Sequence, residues 1–256
     1  MDQQTLTANQ FGSMANNYLG SAVHATGADL QRLSGLARQY PDCRALDAGC
    51  GAGHAAFALA SAGCREVVAC DLSPGMTALV REEAARRNLA RLSSLTSPVE
   101  NLPFDDASFD LVVTRYSAHH WLEVSAGIRE LARVLAPGGR LVVIDVVAPE
   151  SPLLDTALQA FELLRDASHV RNYRRSEWRA MLTSAGLGLA GEQAWRLDLA
   201  FEAWIERIGT PPERVAALHA LFAALPEQAR QHFAIRADLS FSIDAACFEA
   251  VHLAAN

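Results

Sequence analysis

The sequence predicts an α/β fold: a mostly parallel sheet of seven strands, helices on both of its faces, and a helical cap. Three observations carry this reading. Short apolar runs alternate with helical periodicity across 44–147, the pattern of parallel strands joined by right-handed crossovers. The first run, Ala45-Leu46-Asp47-Ala48, passes straight into Gly49-Cys50-Gly51-Ala52-Gly53 and then into a helix over 53–62. Beyond Pro149 helical patterns dominate, with two further strands near 187–197 and 247–253.

Each element has a local cause. Phe11, Met14, Ala15 and Tyr18 fall at helical spacing, and Leu30, Leu33 and Leu36 line a second helix over 25–39. Strand one is 44–47. Strand two, 66–71, is rich in Val and bounded by Gly63 and Ser73-Pro74-Gly75; Ser73 caps the next helix and Pro74 suits its first position. That helix reaches 88, and strands follow at 91–96 and 109–114. A helix with Ile128, Leu131 and Leu135 on one face ends at Ala136-Pro137-Gly138-Gly139, which turns into strand five, 140–147. Later helices are expected at 153–164, 176–185, 201–208 and 214–225. The whole chain, 1–256, reads as a single domain: a helical flap at 1–40, a ligand-binding core at 41–150, and a cap with the last strands at 151–256.

Composition narrows the function. Half of the 256 residues are apolar, enough for a sizeable core. The net charge of −7 leaves no basic stripe for nucleic acid. The densest basic run, Arg171, Arg174, Arg175 and Arg179, reads as a solvated helix face. The five cysteines are odd in number and form no C-x-x-C pair, so neither a disulfide framework nor a metal site is predicted. The N-terminus is polar and no apolar run approaches about 18 residues, so neither a leader nor a membrane span is expected; a reducing cytoplasm fits.

Ligands of open α/β sheets bind outside the carboxyl ends of the strands. Strand one ends in Asp47 and the glycines, where a chain without Cβ atoms can approach a ligand and the next helix aims its free N–H groups at it. Strand two ends in Asp71, suited to accept both hydroxyls of a ribose. Strand four ends in 114–121 and strand five near Asp145. A dinucleotide fingerprint would need a small residue where His54 stands, which argues against a nicotinamide cofactor.

The segment Asp47-Ala48-Gly49-Cys50-Gly51-Ala52-Gly53 resembles the first motif of class I S-adenosylmethionine-dependent methyltransferases, and Cys70-Asp71-Leu72-Ser73-Pro74-Gly75-Met76 resembles their second. The stretch Glu100-Asn101-Leu102-Pro103-Phe104-Asp105-Asp106-Ala107-Ser108-Phe109-Asp110 and the turn Leu135-Ala136-Pro137-Gly138-Gly139-Arg140-Leu141 are similar to the branch of ubiquinone and menaquinone biosynthesis C-methyltransferases. The likeness covers 40–150. Arg165-Asp166-Ala167-Ser168-His169-Val170-Arg171 and Glu177-Trp178 suggest a subgroup with bacterial members of unassigned substrate.

The resemblance implies a Rossmann-like sheet and S-adenosylmethionine as cofactor. It implies that Gly49, Gly51 and Gly53 form the loop under the methionine part, that Asp47 reaches the ammonium, that Asp71 takes the ribose hydroxyls, and that Leu72 and Met76 enclose the adenine. Val99 would offer its N–H to the adenine, and Thr114 its carbonyl to the ammonium. Where many relatives carry "G-D-A-E", this chain has Ser97-Pro98-Val99-Glu100, so Pro98 removes the acid that meets the adenine amino group, leaving Val99, apolar walls and Glu100 or water.

Methyl transfer from a sulfonium is an in-line displacement, so alignment matters most and can contribute roughly 7–11 kcal/mol. His119 or His120 is a candidate to orient the acceptor or take its proton; the other reading is a structural pair packed on Trp121. Tyr116 either hydrogen-bonds the acceptor or fills the seam under the cap. Tyr18, Ser21 and His24 either close over the cofactor or pack as ordinary helix. His169 and Arg171 are candidates to meet the acceptor, Arg171 as partner of an anionic group or as plain surface charge. The function expected is methyl transfer to carbon or oxygen of a small, apolar or aromatic acceptor. The alternatives are a cofactor-binding protein without catalysis and a nicotinamide-dependent oxidoreductase.

Overall fold

The computed structural model describes residues 1–20, 25–40 and 42–253. Ser21 and His24, expected in the flap, lie outside the described residues. The sheet runs β3-β2-β1-β4-β5-β8-β7, with a short β6 (Tyr173–Arg174) beside the end of β5. Strands β1 (Arg44–Ala48), β2 (Glu66–Asp71), β3 (Leu92–Thr96), β4 (Phe109–Arg115) and β5 (Leu135–Ala148) pair in parallel. β8 (Phe241–His252) runs antiparallel to both β5 and β7 (Leu187–Leu199). The order reverses between β1 and β4, so the crevice expected of a doubly wound sheet opens at their carboxyl ends.

Side chains alternate across the sheet, as the period of two requires. Leu46, Val68, Val112 and Val143 pack on one face with α6 (Val124–Val134) and with Trp178 and Leu182 of α8 (Arg175–Ser184). Ala45, Val67, Val113 and Ile144 pack on the other face with α3 (Ala28–Gln39), α4 (His54–Ala62) and α5 (Pro74–Arg86). A third core belongs to the cap: Phe161 of α7 (Pro152–Arg165), Trp204 of α9 (Phe201–Ile208), Phe222 of α10 (Pro212–Ala224), and Phe233 and Phe241. Its rings meet edge to face, Phe161 and Phe233 at 5.1 Å.

Several sequence expectations shift. The helix expected at 176–185 forms one residue earlier, and its Trp178 and Leu182 bury on the sheet rather than in the cap. The 136–139 turn is absorbed into β5 as a bulge, because Phe109 pairs with Leu135 but Leu111 pairs with Arg140. The last strands are longer than expected, and a short helix, α11 (Glu227–His232), was hidden by its length and polarity. The second helix begins at Ala28 rather than 25, and its first-turn Asp29 forms a buried ion pair with Arg115 at 2.6 Å.

The N-terminal helix breaks into α1 (Gln3–Ser13) and α2 (Ala15–Leu19). α1 lies across the start of α5 so closely that a Cβ on Gly75 would stand 3.0 Å from the Cα of Gly12. Tyr18 in turn gives its carbonyl to the His54 ring at 3.0 Å. These contacts bring the flap over the crevice.

Candidate active site

The loop after β1 is held by its own backbone. The N–H groups of Gly49 and Cys50 both donate to the Cys70 carbonyl, at 2.8 and 2.9 Å, which ties the loop to β2. Gly49 has φ +70°, and a Cβ there would run into the Ser117 hydroxyl. Gly51 has φ +50°, and nothing lies within 4 Å of where its Cβ would be, so its backbone faces open space. Gly53 has a different task from the one expected. It sits at the N-cap of α4 against Val80 and Phe57 and does not line the cavities described below.

Asp71 reaches across to this loop. One oxygen accepts from the Gly51 N–H and the other from the Ser73 N–H, each at 2.8 Å. Burial holds its carboxyl above the usual range, against the pull of those two amides. Asp47 accepts from the Ala56 N–H in the first turn of α4 at 2.8 Å through Oδ2, while Oδ1 is buried with no hydrogen-bond partner among the described residues. Burial pushes its pKa up to about 7, against the Ala56 amide and the Arg115 guanidinium.

The first cavity, about 600 Å³, is lined by Gly49, Gly51, Asp71, Leu72, Met76, Pro98, Val99 and Glu100, with Phe11 of α1, Tyr116 and His120 opposite. A smaller cavity of about 470 Å³, which reaches Asp47, shares Gly49, Gly51, Met76 and Tyr116 with it. Glu100 stands in the wall, but one of its oxygens accepts from the N–H groups of Leu122 and Glu123, so it also fixes the entry to α6. Thr114 departs from expectation: it is buried in β4 and does not line these cavities.

The segment after β4 turns sharply. Tyr116 adopts φ +51°, a left-handed conformation that costs a non-glycine residue on the order of 1–3 kcal/mol and is found at functional sites. Burial pushes its phenol pKa up. His119 and His120 follow on a short 3₁₀ turn, Ala118–His120. The Nδ1 atom of His119 lies 2.6 Å from Oδ1 of Asp145, which is buried at the end of β5. Burial opposes charge on His119, yet the Asp145 carboxylate outweighs it and the pKa rises. His120 goes the other way, down to about 4, from burial and the neighbouring His119 charge; its Nδ1 lies 3.2 Å from the Ser168 carbonyl. Environments that separate two titratable neighbours in this way are typical of acid–base sites.

A second cavity, about 550 Å³, shares Phe11, Tyr116 and His120 with the first. His119, Tyr18, Glu162, Arg165 and Arg207 line it together with apolar Val146, Leu197, Leu199, Trp204 and Ile243. Glu162, Arg165 and Arg207 escaped sequence reasoning. A signal existed: Leu158, Phe161, Glu162 and Arg165 follow one helical stripe, so the two charges occupy core-facing positions.

Two expected acceptor residues are not in these walls. Arg171 forms ion pairs with Asp155 at 3.0 Å and Glu177 at 3.6 Å. His169 is buried behind the site, its Nε2 3.0 Å from Oε1 of Gln159 and its pKa pushed down to about 2 by burial and by the charges of His119 and His120. Their segment matters through its backbone instead, since the N–H groups of Val170 and Arg171 donate to the His119 carbonyl at 2.9 and 3.1 Å. The basic run behaves as expected: Arg171 and Arg174 pair with Asp155, Arg175 and Arg179 with Glu192.

The arrangement is an α/β sheet with one cavity over the carboxyl ends of β1 and β2 and a second beside it. Residues 46–143 match the family model described as a methyltransferase domain. The chain is 42% identical over 178 residues to the uncharacterized protein YafE of Escherichia coli, covering 70% of this chain and 86% of that one. It is 34% identical over 241 residues to the uncharacterized methyltransferase YcgJ of Bacillus subtilis, covering 94% and 95%. The crystal structure of YcgJ superposes with a TM-score of 0.82 over 88% of this chain and 100% of that one, at 32% identity. A demethylmenaquinone methyltransferase of Clavibacter sepedonicus is 40% identical over 114 residues, 43% of this chain and 44% of that one. The chain therefore belongs to the class I S-adenosylmethionine-dependent methyltransferases, in a group resembling the ubiquinone and menaquinone biosynthesis branch. It is an S-adenosylmethionine-dependent methyltransferase, and the nicotinamide and non-catalytic readings fall away. The residues fit that cofactor: the orphaned Oδ1 of Asp47 is an acceptor for a cationic group, and the open backbone at Gly51 gives a close approach. Among the described residues, no helix is long and apolar enough to cross a membrane.

Proposed function

We propose that this enzyme methylates a carbon or oxygen atom of a small, largely apolar molecule held in the second cavity. The observation that carries the reading is the shared wall: Phe11, Tyr116 and His120 border both cavities, so two ligands would meet there. When bound, S-adenosylmethionine supplies a methyl group already activated as a sulfonium. The chain's own task is to align, to exclude water and to move a proton.

In this reading Asp71 accepts the ribose hydroxyls with the lone pairs that Gly51 and Ser73 leave over, and Asp47 answers the ammonium. Leu72, Met76 and Pro98 enclose the adenine, and the Val99 N–H donates to it. α1 and α2, with Phe11 and Tyr18, close the crevice against water. Asp145 holds the Nδ1 proton of His119, so that Nε2 is the atom that takes the acceptor's proton. His120, neutral near pH 7, separates the two chambers without adding charge. A cytoplasmic setting is proposed on the burial of all five cysteines in the core.

The test is incubation with methyl-labelled S-adenosylmethionine and a bacterial cell extract divided into small molecules, protein and nucleic acid. Label should enter the small-molecule fraction and be lost with His119→Ala. Label confined to protein or nucleic acid would refute the reading.

A further inference from the structure

We infer that the acceptor carries, besides the atom that is methylated, a hydroxyl or N–H group that donates a hydrogen bond to Glu162. This rests on the second cavity being the acceptor chamber. Glu162 stands in the last turn of α7, on the core-facing stripe of Leu158, Phe161 and Arg165. Its side chain is 9% exposed, and it lines the second cavity but neither of the other two. It therefore addresses the acceptor and not the cofactor. Among the described residues its carboxyl has no hydrogen-bond partner. Its one ion pair there is with Arg165, whose Nη1 lies 3.9 Å from Oε2, beyond hydrogen-bonding distance. Arg165 is held away from it by other bonds: its Nε donates to the Trp204 carbonyl at 3.0 Å, its guanidinium lies 5.2 Å over the Trp204 ring, and it hydrogen-bonds the Tyr18 hydroxyl.

A carboxyl on the core-facing stripe of a helix is costly unless a donor answers it, and an apolar side chain there would carry no such cost. Burial holds the Glu162 pKa above the usual range, against the charges of Arg165 and His119. Buried groups perturbed in this way gather at functional sites. Glu162 is also the one carboxyl among the described lining residues of the chamber. The acids behind the wall are engaged: Asp145 holds His119, and Asp166 accepts from the Ser168 N–H and hydroxyl at 2.8 and 2.7 Å. The chemistry of the wall selects the answering group. A cation would meet Arg165 and His119 beside Glu162, and an anion would meet Glu162 itself. A group without polar atoms would leave the carboxyl lone pairs dry. A neutral hydroxyl or N–H satisfies them and brings no charge. The apolar remainder, Val146, Leu197, Leu199 and Ile243, suits a hydrocarbon or aromatic body. With His119 as one polar point and Glu162 as the other, such a body is fixed in orientation as well as in place, which an in-line transfer needs.

The experiment uses the full chain saturated with S-adenosylhomocysteine. Calorimetry compares 1-naphthol, 4-butylphenol and indole with 1-methoxynaphthalene, 4-butylanisole and 1-methylindole, the same bodies with the donor hydrogen replaced by methyl. At least one donor is expected to bind at least about tenfold more tightly than its methylated partner, a difference of about 1.4 kcal/mol. Glu162→Leu should erase that preference, with Glu162→Ala in its place should the leucine variant not fold. Glu162→Gln, which keeps a carbonyl acceptor, should retain part of it, and His119→Ala should retain it. All of these should bind S-adenosylhomocysteine within about threefold of wild type. Binding of S-adenosylhomocysteine with no donor preferred over its methylated partner would overturn the inference and leave the methyltransferase reading standing. A preference that survives Glu162→Leu or Glu162→Ala, or that His119→Ala abolishes, would also overturn it. Failure of S-adenosylhomocysteine to bind at all would instead sink the reading beneath it.

Discussion

The proposed cofactor cradle and the proposed acceptor chamber share three lining residues but are built by different means. The cradle is held together through backbone groups. The Gly49 and Cys50 N–H groups tie its loop to the Cys70 carbonyl, and Asp71 accepts from the Gly51 and Ser73 N–H groups. The chamber is made of side chains drawn from α1, α2, the 3₁₀ turn, α7, α9 and the last two strands. On the proposed reading, cofactor recognition follows from sheet topology, whereas acceptor choice follows from a few buried polar groups in an apolar frame.

That division can be broken from either side. The largest effect should come from Asp145→Asn. An amide cannot hold His119 in the same charge state, so its raised pKa should fall and labelled methyl transfer should drop about 10²–10⁴-fold, the usual range for a lost acid–base group. Gly49→Ala should strike the cradle. A left-handed alanine whose Cβ meets Ser117 should cost about 2–5 kcal/mol in combined strain and overpacking, read as a lower melting temperature and weaker S-adenosylhomocysteine binding.

Asp71→Ala should weaken S-adenosylhomocysteine binding by about 1–3 kcal/mol, since it removes charged acceptors and frees the Gly51 and Ser73 amides. A gentler lever is pH. The Asp47 pKa is raised by folding, so its contribution to the stability of the free protein is present at pH values below the ordinary carboxylate range and is lost as pH rises towards about 7. A cationic ligand group needs the ionised form, so affinity should rise with pH up to about 7, by at most about tenfold per unit, and then level off; Asp47→Asn should flatten the curve. Smallest of all, Arg171→Ala should change stability by no more than about 1 kcal/mol and leave cofactor affinity alone, because its ion pairs are partly exposed and outside both cavities.

The same contrast explains what the sequence revealed. The placement of Asp47, Gly49, Gly51 and Asp71 was legible because it depends on spacing along a strand-turn-helix unit, and the structure joins Asp71 to Gly51 directly. Gly53 looked like part of that set, but a Cβ there would press on Phe57 of the helix it caps and on Val80 of α5. Arg171 looked like an acceptor ligand because it falls where the cap was expected to face the site, yet its side chain pairs with Asp155 while Arg165, six residues earlier, lines the second cavity. Which face of a cap helix meets the cavity depends on how the cap docks, and single-chain periodicity does not carry that information. Asp145 lay between these cases: its place at the end of strand five was legible, and its bond to His119 required β4 and β5 to be neighbours.

The most direct measurement compares S-adenosylhomocysteine affinity, by calorimetry, in wild type, Asp71→Ala and Asp145→Asn. If cradle and chamber are separate devices, Asp71→Ala should lose about 5–150-fold, equivalent to roughly 1–3 kcal/mol, while Asp145→Asn stays within about threefold of wild type. Equal losses in both variants, or a loss confined to Asp145→Asn, would contradict the account.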